Sequence, residues 1–216
     1  MITITAASGR FGRLVVDELL RRGIPPIELV ATSRDASRLA DLASRGVTVR
    51  EADYSDPESL AAAFADLDRL LLVSSGEFGR QFEQHSNVIQ AAKNANASAL
   101  IYTSYLNADT SGIIMARDHA RTEELIRTSG IPFAILRNGS YIENYTDNID
   151  MWLQYGTIIG SAGDGKISGA TRADLALAAA GGAADEAVIN RVYELGGSRF
   201  TKAGLAIPPS QGPCQQ

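Results

Sequence analysis

The chain is poor in the residues that build metal and redox centres. Its 216 residues include one cysteine, Cys214, and two histidines, His85 and His119. One thiol excludes an intrachain disulfide framework and any cysteine-rich metal cluster. Two histidines give no basis for a zinc enzyme, and no metal ligands are assigned. Long apolar runs are missing too. No stretch approaches the length of a membrane span, and the N-terminus lacks a basic region followed by an apolar core. No membrane partner is therefore expected, and a cytoplasmic location is. The chain has no cationic excess: the net charge is −5 and the basic residues are scattered. Nucleic acid is not an expected partner. What remains is a hydrophobic content of 45% in a length that suits one α/β domain.

The first line of the sequence carries the clearest positive signal. Ile2-Thr3-Ile4-Thr5 is a β-type run that feeds a small-residue turn, Ala6-Ala7-Ser8-Gly9-Arg10-Phe11-Gly12. A helical pattern follows, with Leu14, Val15, Leu19 and Leu20 on one face. Strand, glycine turn and helix aim backbone N–H groups and the positive end of a helix at a phosphate. Strands and helices then alternate. Strands are expected at Glu28–Thr32, Val47–Val49, Arg69–Val73, Ala99–Thr103 and Phe133–Leu136. Asp35 and Asp56 read as helix caps, and Leu60, Phe64 and Leu67 as inward-facing positions. Helices are expected over Phe82–Asn94, Arg117–Ser129, Asp147–Tyr155 and Thr171–Ala184, with short strands at Thr157–Ile159 and Val192–Leu195. This rhythm predicts a Rossmann-type, doubly wound parallel sheet. Residues 1–198 form the nucleotide-binding domain with part of a second lobe. Residues 199–216, rich in Gly, Pro and Gln, are expected to be an irregular, disordered tail.

Several positions could carry chemistry. Gly9 and Gly12 let a backbone approach a pyrophosphate; Ala6 stands where a positive φ is wanted, at a cost of about 1 kcal/mol. The second strand ends in Thr32-Ser33-Arg34, without the acid that accepts ribose hydroxyls in NAD enzymes. Arg34, with Arg10 in the turn, suits a 2′-phosphate. Asp53 reads equally as an acceptor for an adenine amino group and as a turn cap. Ser74-Ser75-Gly76 permits close approach of a ribose or nicotinamide, or is a plain loop. Lysine is confined to Lys93, Lys166 and Lys202. None follows a tyrosine at Tyr-x-x-x-Lys spacing, which excludes that acid pair. His119, with Thr122 and Glu123 after it, reads as a proton or hydrogen-bond donor or as a structural histidine. His85 reads as a surface or packing residue.

These residues sit among runs that resemble a known family. Glu51-Ala52-Asp53-Tyr54, Leu70–Ser75, Tyr102-Thr103-Ser104, Ala108–Ser111, Leu136-Arg137-Asn138-Gly139, Glu143-Asn144-Tyr145, Gly160–Ile167, Thr171–Asp174 and Val192–Leu195 occur in order. Together they resemble the NmrA-like group of atypical short-chain dehydrogenases, and within it the NADPH-dependent type 2 quinone oxidoreductases, with triphenylmethane reductases as relatives. The resemblance covers roughly residues 1–198. It implies NADPH binding through Ala6, Ala7, Ser8, Gly9, Arg10, Phe11, Gly12, Arg34, Asp53, Ser74, Ser75 and Gly76, and through Asn138, Gly139, Ser140, Tyr141, Ile142 and Glu143. It implies hydride transfer to a small-molecule quinone, with Asn138, Tyr141 and His119 orienting the acceptor. The group also contains NAD(P)-binding redox sensors without turnover, the alternative function. Two departures stand out. Ala6 replaces the family's first glycine. The pattern stops near Ser198, where relatives continue into helices over the substrate cleft, so a truncated C-terminal substrate lobe is expected. The apolar surface thereby uncovered is compatible with a homodimer.

Overall fold

The computed structural model describes residues 1–158, 160, 162–185, 187 and 190–205. The first half alternates strictly: β1 (Ile2–Ile4), α1 (Arg10–Arg21), β2 (Leu29–Ser33), α2 (Ala40–Ser44), β3 (Thr48–Glu51), α3 (Pro57–Ala63), β4 (Arg69–Leu72), α4 (Gln81–Asn94) and β5 (Ala99–Tyr105). There follow α5 (Ile114–Thr128), β6 (Phe133–Asn138), β7 (Ser140–Tyr141), α6 (Glu143–Thr146), α7 (Ile149–Tyr155) and β8 (Ile167–Ala170). The described part closes with α8 (Arg172–Ala184), β9 (Arg191–Leu195), β10 (Arg199–Phe200) and α9 (Lys202–Leu205).

Seven strands form one parallel sheet in the order β3-β2-β1-β4-β5-β6-β9. The order reverses between β1 and β4, and that switch point is where open α/β sheets bind ligands. β1, β2 and β4 are buried along their whole length, as their continuous apolar runs require. On one sheet face, Val15, Val16 and Leu19 of α1 meet Ala176, Ala179, Ala180 and Ala183 of α8. Alanines there leave room for close helix packing. On the other face, Leu60, Phe64 and Leu67 join Val88, Ile89 and Ile126. Local signals act as expected at the helix starts. Asp56 accepts from Glu58 N–H and Thr171 from Asp174 N–H, each at 3.0 Å.

Arg69 ties the sheet to α8. Its buried guanidinium donates to Ala183 O at 2.7 Å, Gly182 O at 3.1 Å and Asp185 O at 2.7 Å. A cation thus meets the last carbonyls of a helix, where the helix dipole and the unpaired acceptors both favour it.

Two expectations fail in the structure. Thr157 and Ile158 form no strand, and Ile159 lies outside the described residues. Residues 199–205 are structured: Arg199 and Phe200 pair antiparallel with Ser168 and Ile167, and α9 follows; residues 206–216 lie outside the described residues. A second sheet, β10-β8-β7, was not foreseen, because its strands are two to four residues long. α7 leaves Ile149, Met151, Leu153 and Tyr155 exposed. With Tyr145, Trp152 and Leu205 this helix borders a groove of about 430 Å³.

Arg69→Met should lower the free energy of unfolding by about 2–3 kcal/mol, because it leaves buried carbonyls unpaired. Arg69→Lys, a single-point donor, should fall between the two. Urea unfolding followed by circular dichroism measures both; an unchanged midpoint for Arg69→Met would remove the clamp from the stability account.

Candidate functional site

The site starts at the turn between β1 and α1. Ala6 has φ +49°, in the left-handed region where alanine is strained. Gly9 N–H closes the turn onto Ala6 O at 3.0 Å. At Gly12 there is no room for a side chain: a Cβ would lie 2.7 Å from Ala6 O and 2.9 Å from Ala7 Cα. This packing presses the N-terminus of α1 against the end of β1. Gly9, the residue capping α1, offers no side-chain hydrogen bond. The first-turn N–H groups therefore face outward with the positive end of the helix dipole. Ala7 is different. Its N–H is spent on Thr32 O at 2.8 Å and its side chain is fully buried, so it serves the turn and not a phosphate.

Three cavities run in series from this turn. The first, about 420 Å³, is lined by Ala6, Ser8, Gly9, Ser33, Arg34, Asp35 and Arg38. The second, about 270 Å³, shares Ala6 and Arg34 and adds Asp53, Tyr54, Ser74, Ser75 and Gly76. The third, about 200 Å³, continues from Ser75 and Gly76 to Gln81, Met115 and Asp118. Arg34 thus stands in a cavity beside the turn, as expected. Arg10 does not join it: its guanidinium reaches Asp147 at 2.7 Å, toward the second lobe. The second cation of that cavity is Arg38, one helical turn past the capping Asp35, which the sequence reading missed. Asp53 is a turn cap, and it also stands at a cavity wall. Its Oδ1 caps Ser55 N–H at 2.8 Å, and the residue lines the second cavity.

Ser75 is held firmly. Its N–H donates to His85 Nε2 at 2.9 Å, its carbonyl accepts from Gln81 Nε2 at 2.6 Å, and its hydroxyl bonds Gln84. His85 is fully buried, which decides for packing over the surface. Because its Nε2 accepts, its proton sits on Nδ1, 3.1 Å from Thr122 Oγ1 and 3.3 Å from Tyr102 Oη. Tyr102 Oη lies 2.7 Å from Nδ1 of His119. Burial pushes both histidines down from 6.5, His85 to about 3 and His119 to about 4. It also raises the Tyr102 phenol well above its ordinary value. At neutral pH this is a network of neutral groups, so His119 contributes a hydrogen bond and not an imidazolium proton.

Behind it lies a charged anchor. Arg137 meets both oxygens of buried Glu123 at 2.9 and 2.7 Å, with Glu194 at 2.8 Å and Asp109 at 3.0 Å. Burial works to raise Glu123, but bonds from Arg137, Ser104 and Arg127 outweigh it and hold the carboxyl below its ordinary range. The next residue, Asn138, is buried, and its Oδ1 has no partner among the described residues. Asn138 is in register with Tyr105, whose ring lies 6.0 Å from His119, so Tyr105 stands between two of the residues expected to orient the acceptor. Tyr141 stacks on Phe11 at 6.0 Å, with Arg172 4.9 Å over its ring. The rest of the segment is mainly structural. Gly139 has Ser168 O where a Cβ would need 2.6 Å, Ser140 Oγ bonds the Tyr145 hydroxyl, and Ile142 N–H bonds Ala170 O. Glu143 accepts Arg172 N–H with both oxygens, at 2.8 and 3.0 Å.

Among the described residues no cluster of three or more His, Cys, Asp or Glu is placed to hold a metal ion, and no helix is long and apolar enough to cross a membrane. The sequence profile described as NAD(P)H-binding matches residues 6–186. Quinone oxidoreductase 2 of Escherichia coli is 44% identical over 207 residues, 95% of this chain and 72% of that protein. An NmrA-like family domain-containing oxidoreductase of Aspergillus flavus is 31% identical, covering 82% of this chain and 59% of its own length. The crystal structure of the E. coli NADPH-dependent quinone oxidoreductase complexed with NADPH superposes with a TM-score of 0.89 over 93% of this chain and 71% of that one, at 44% identity. Citrobacter sp. triphenylmethane reductase complexed with NADP(H) gives 0.89 at 35% identity, over 92% and 71%.

Two depressed histidines make stability depend on pH. The unfolded chain takes up protons near pH 6.5, while the folded chain resists until about pH 4 at His119 and about pH 3 at His85. Stability from this source is complete above pH 6.5 and is lost as the pH falls toward 4. Urea unfolding at pH 7.5, 6.0 and 5.0 should show the decline. His85→Gln should flatten it relative to wild type, after allowance for a lower overall stability. An identical slope in both proteins would contradict the assignment.

Proposed function

The chain belongs to the NAD(P)H-binding family of NmrA-like reductases, and we propose on that basis that it is an NADPH-dependent quinone reductase. The observation that carries the reading is the run of cavities from Arg38 and Ser8 past Ala6 to Ser75. It opens at an uncapped helix N-terminus in a chain that matches an NADPH-binding reductase along nearly its whole length. The residues present suit the cofactor. The α1 N-terminus and the Gly9–Gly12 turn offer N–H groups to a diphosphate. Arg34 and Arg38 offer guanidinium donors to a 2′-phosphate. Asp53 and Tyr54 line the space for an adenine.

Bound NADPH supplies a hydride. The protein's share is orientation, because a quinone is electrophilic enough to accept hydride without a strong acid. Tyr141 keeps its proton, since burial raises its phenol. It can donate a hydrogen bond to an acceptor oxygen that gains negative charge. His119 is neutral and adds a hydrogen bond of fixed direction through Tyr102. Phe11 and Arg172 both pack against the Tyr141 ring.

Steady-state oxidation of NADPH with a simple benzoquinone tests this reading. Sustained turnover is expected, with Tyr141→Phe lowering kcat by about tenfold, or about 1.4 kcal/mol. NADPH binding without turnover would favour a redox sensor instead.

The Ala6 turn yields a second expectation. Ala6→Gly removes the strain at φ +49°, while the extra entropy of the unfolded chain offsets it by about 0.4–1 kcal/mol. The melting temperature of the free protein should hardly move. NADPH affinity, measured by calorimetry, should rise severalfold, because Ala6 faces both cavities beside the turn. Weaker binding would mean that the alanine is part of the cofactor contact.

A further inference from the structure

The acid missing from the end of β2 is supplied from elsewhere in the fold. Glu77, in the loop between β4 and α4, places its Oε1 2.9 Å from Nη1 of Arg34. The pair spans the second cavity, which both residues line with Ala6, Asp53 and Gly76. The carboxylate is not a loose surface group. Its other oxygen accepts from Gln84 Nε2 at 2.8 Å, and Gln84 is 2% exposed. The same Gln84 bonds the hydroxyls of Ser55 and Ser75, and Ser75 Oγ accepts Glu77 N–H at 3.1 Å. A buried amide thus aims one carboxylate oxygen at the guanidinium proposed to receive a 2′-phosphate. The other charges nearby are Asp53 in the same cavity, Arg80, 3.9 Å from Glu77, and Asp35 and Arg38 on the far side of Arg34.

We propose that Glu77 is the specificity-determining acid of the cofactor cleft, competing with the 2′-phosphate of NADPH for Arg34 and so limiting the preference for NADPH over NADH. This rests on the nucleotide-binding reading given above. A 2′-phosphate that enters must share Arg34 with a fixed carboxylate or displace it, and the two anions repel each other. NADH brings no such charge. Its ribose 2′-hydroxyl is a donor that a carboxylate at this place can accept, the role an acid at the end of β2 fills in NAD enzymes. One residue therefore acts in opposite senses on the two cofactors.

The test is equilibrium binding of NADPH and NADH, by fluorescence or calorimetry, to wild type, Glu77→Gln, Arg34→Ala and the double variant. Glu77→Gln keeps the shape and the hydrogen bond with Gln84 while removing the charge. The ratio of the NADH to the NADPH dissociation constant should rise about tenfold in Glu77→Gln, equivalent to about 1.4 kcal/mol. The rise should be smaller when the same change is made in the Arg34→Ala background, where only the direct repulsion and the ribose contact remain. Glu77→Ser serves in its place should the glutamine variant melt early. A ratio that rises less than about threefold, or falls, overturns the proposal, as does an equal rise without Arg34. Failure of wild type to bind either nucleotide would sink the functional reading and this inference together. Normal binding with an unchanged ratio would sink this inference alone.

Discussion

The approach of α1 to the end of β1 is the constraint on which the rest of the site depends. Gly12 rests on the backbone of Ala6 and Ala7 with no space for a Cβ, and Ala6 turns the chain through a left-handed conformation to permit it. Closer packing here has three consequences at once. It exposes the α1 N-terminus, brings Phe11 under Tyr141, and lets Arg10 reach Asp147. Strain of about 1 kcal/mol at Ala6 is small beside the burial of β1 and of Val15, Val16 and Leu19 that holds the turn in place. The strain persists because the surroundings over-determine the backbone.

Behind the cleft, polarity is buried and paired; in front of it, charge is exposed. Arg137 and Glu123 are taken out of water together, and Glu194, Asp109, Ser104 and Arg127 complete their hydrogen bonding. Removing either partner would break the buried bidentate contact, so this network holds β5, β6, β9 and α5 around Asn138. The histidines follow a different rule. Burial without a charged partner in contact keeps them neutral, and the Tyr102 hydroxyl connects them. Arg34 and Glu77 are 70% and 41% exposed. Their ion pair is weak enough to yield to a ligand, as a pair at a binding surface must be.

Local signals were readable because local physics decides them. Asp56 and Thr171 cap their helices, and Leu60 and Phe64 face the core, as their spacing says. Arg34 stands beside the turn because β2 pairs in parallel with β1, so the two strands end side by side. Glu77 and Tyr105 were not readable as site residues. Their partners, Arg34 and Asn138, are 43 and 33 residues away, and only sheet order brings them together. Arg10 was misdirected for the same reason: its helix position is local, but Asp147 lies 137 residues on. The strand pair that orders Arg199 and Phe200 is too short to mark itself in the sequence.

By itself, the sequence determined the alternation of strands and helices, the glycine turn, the caps, and the family to which those runs belong. These follow from backbone sterics, side-chain periodicity and hydrogen bonds within a few residues. Only the tertiary structure decided which cation faces which acid, that both histidines are buried and neutral, and that the side-chain oxygen of Asn138 has no partner among the described residues. Those outcomes turn on desolvation and on distances between groups far apart in the chain, and both exist only once the sheet has assembled.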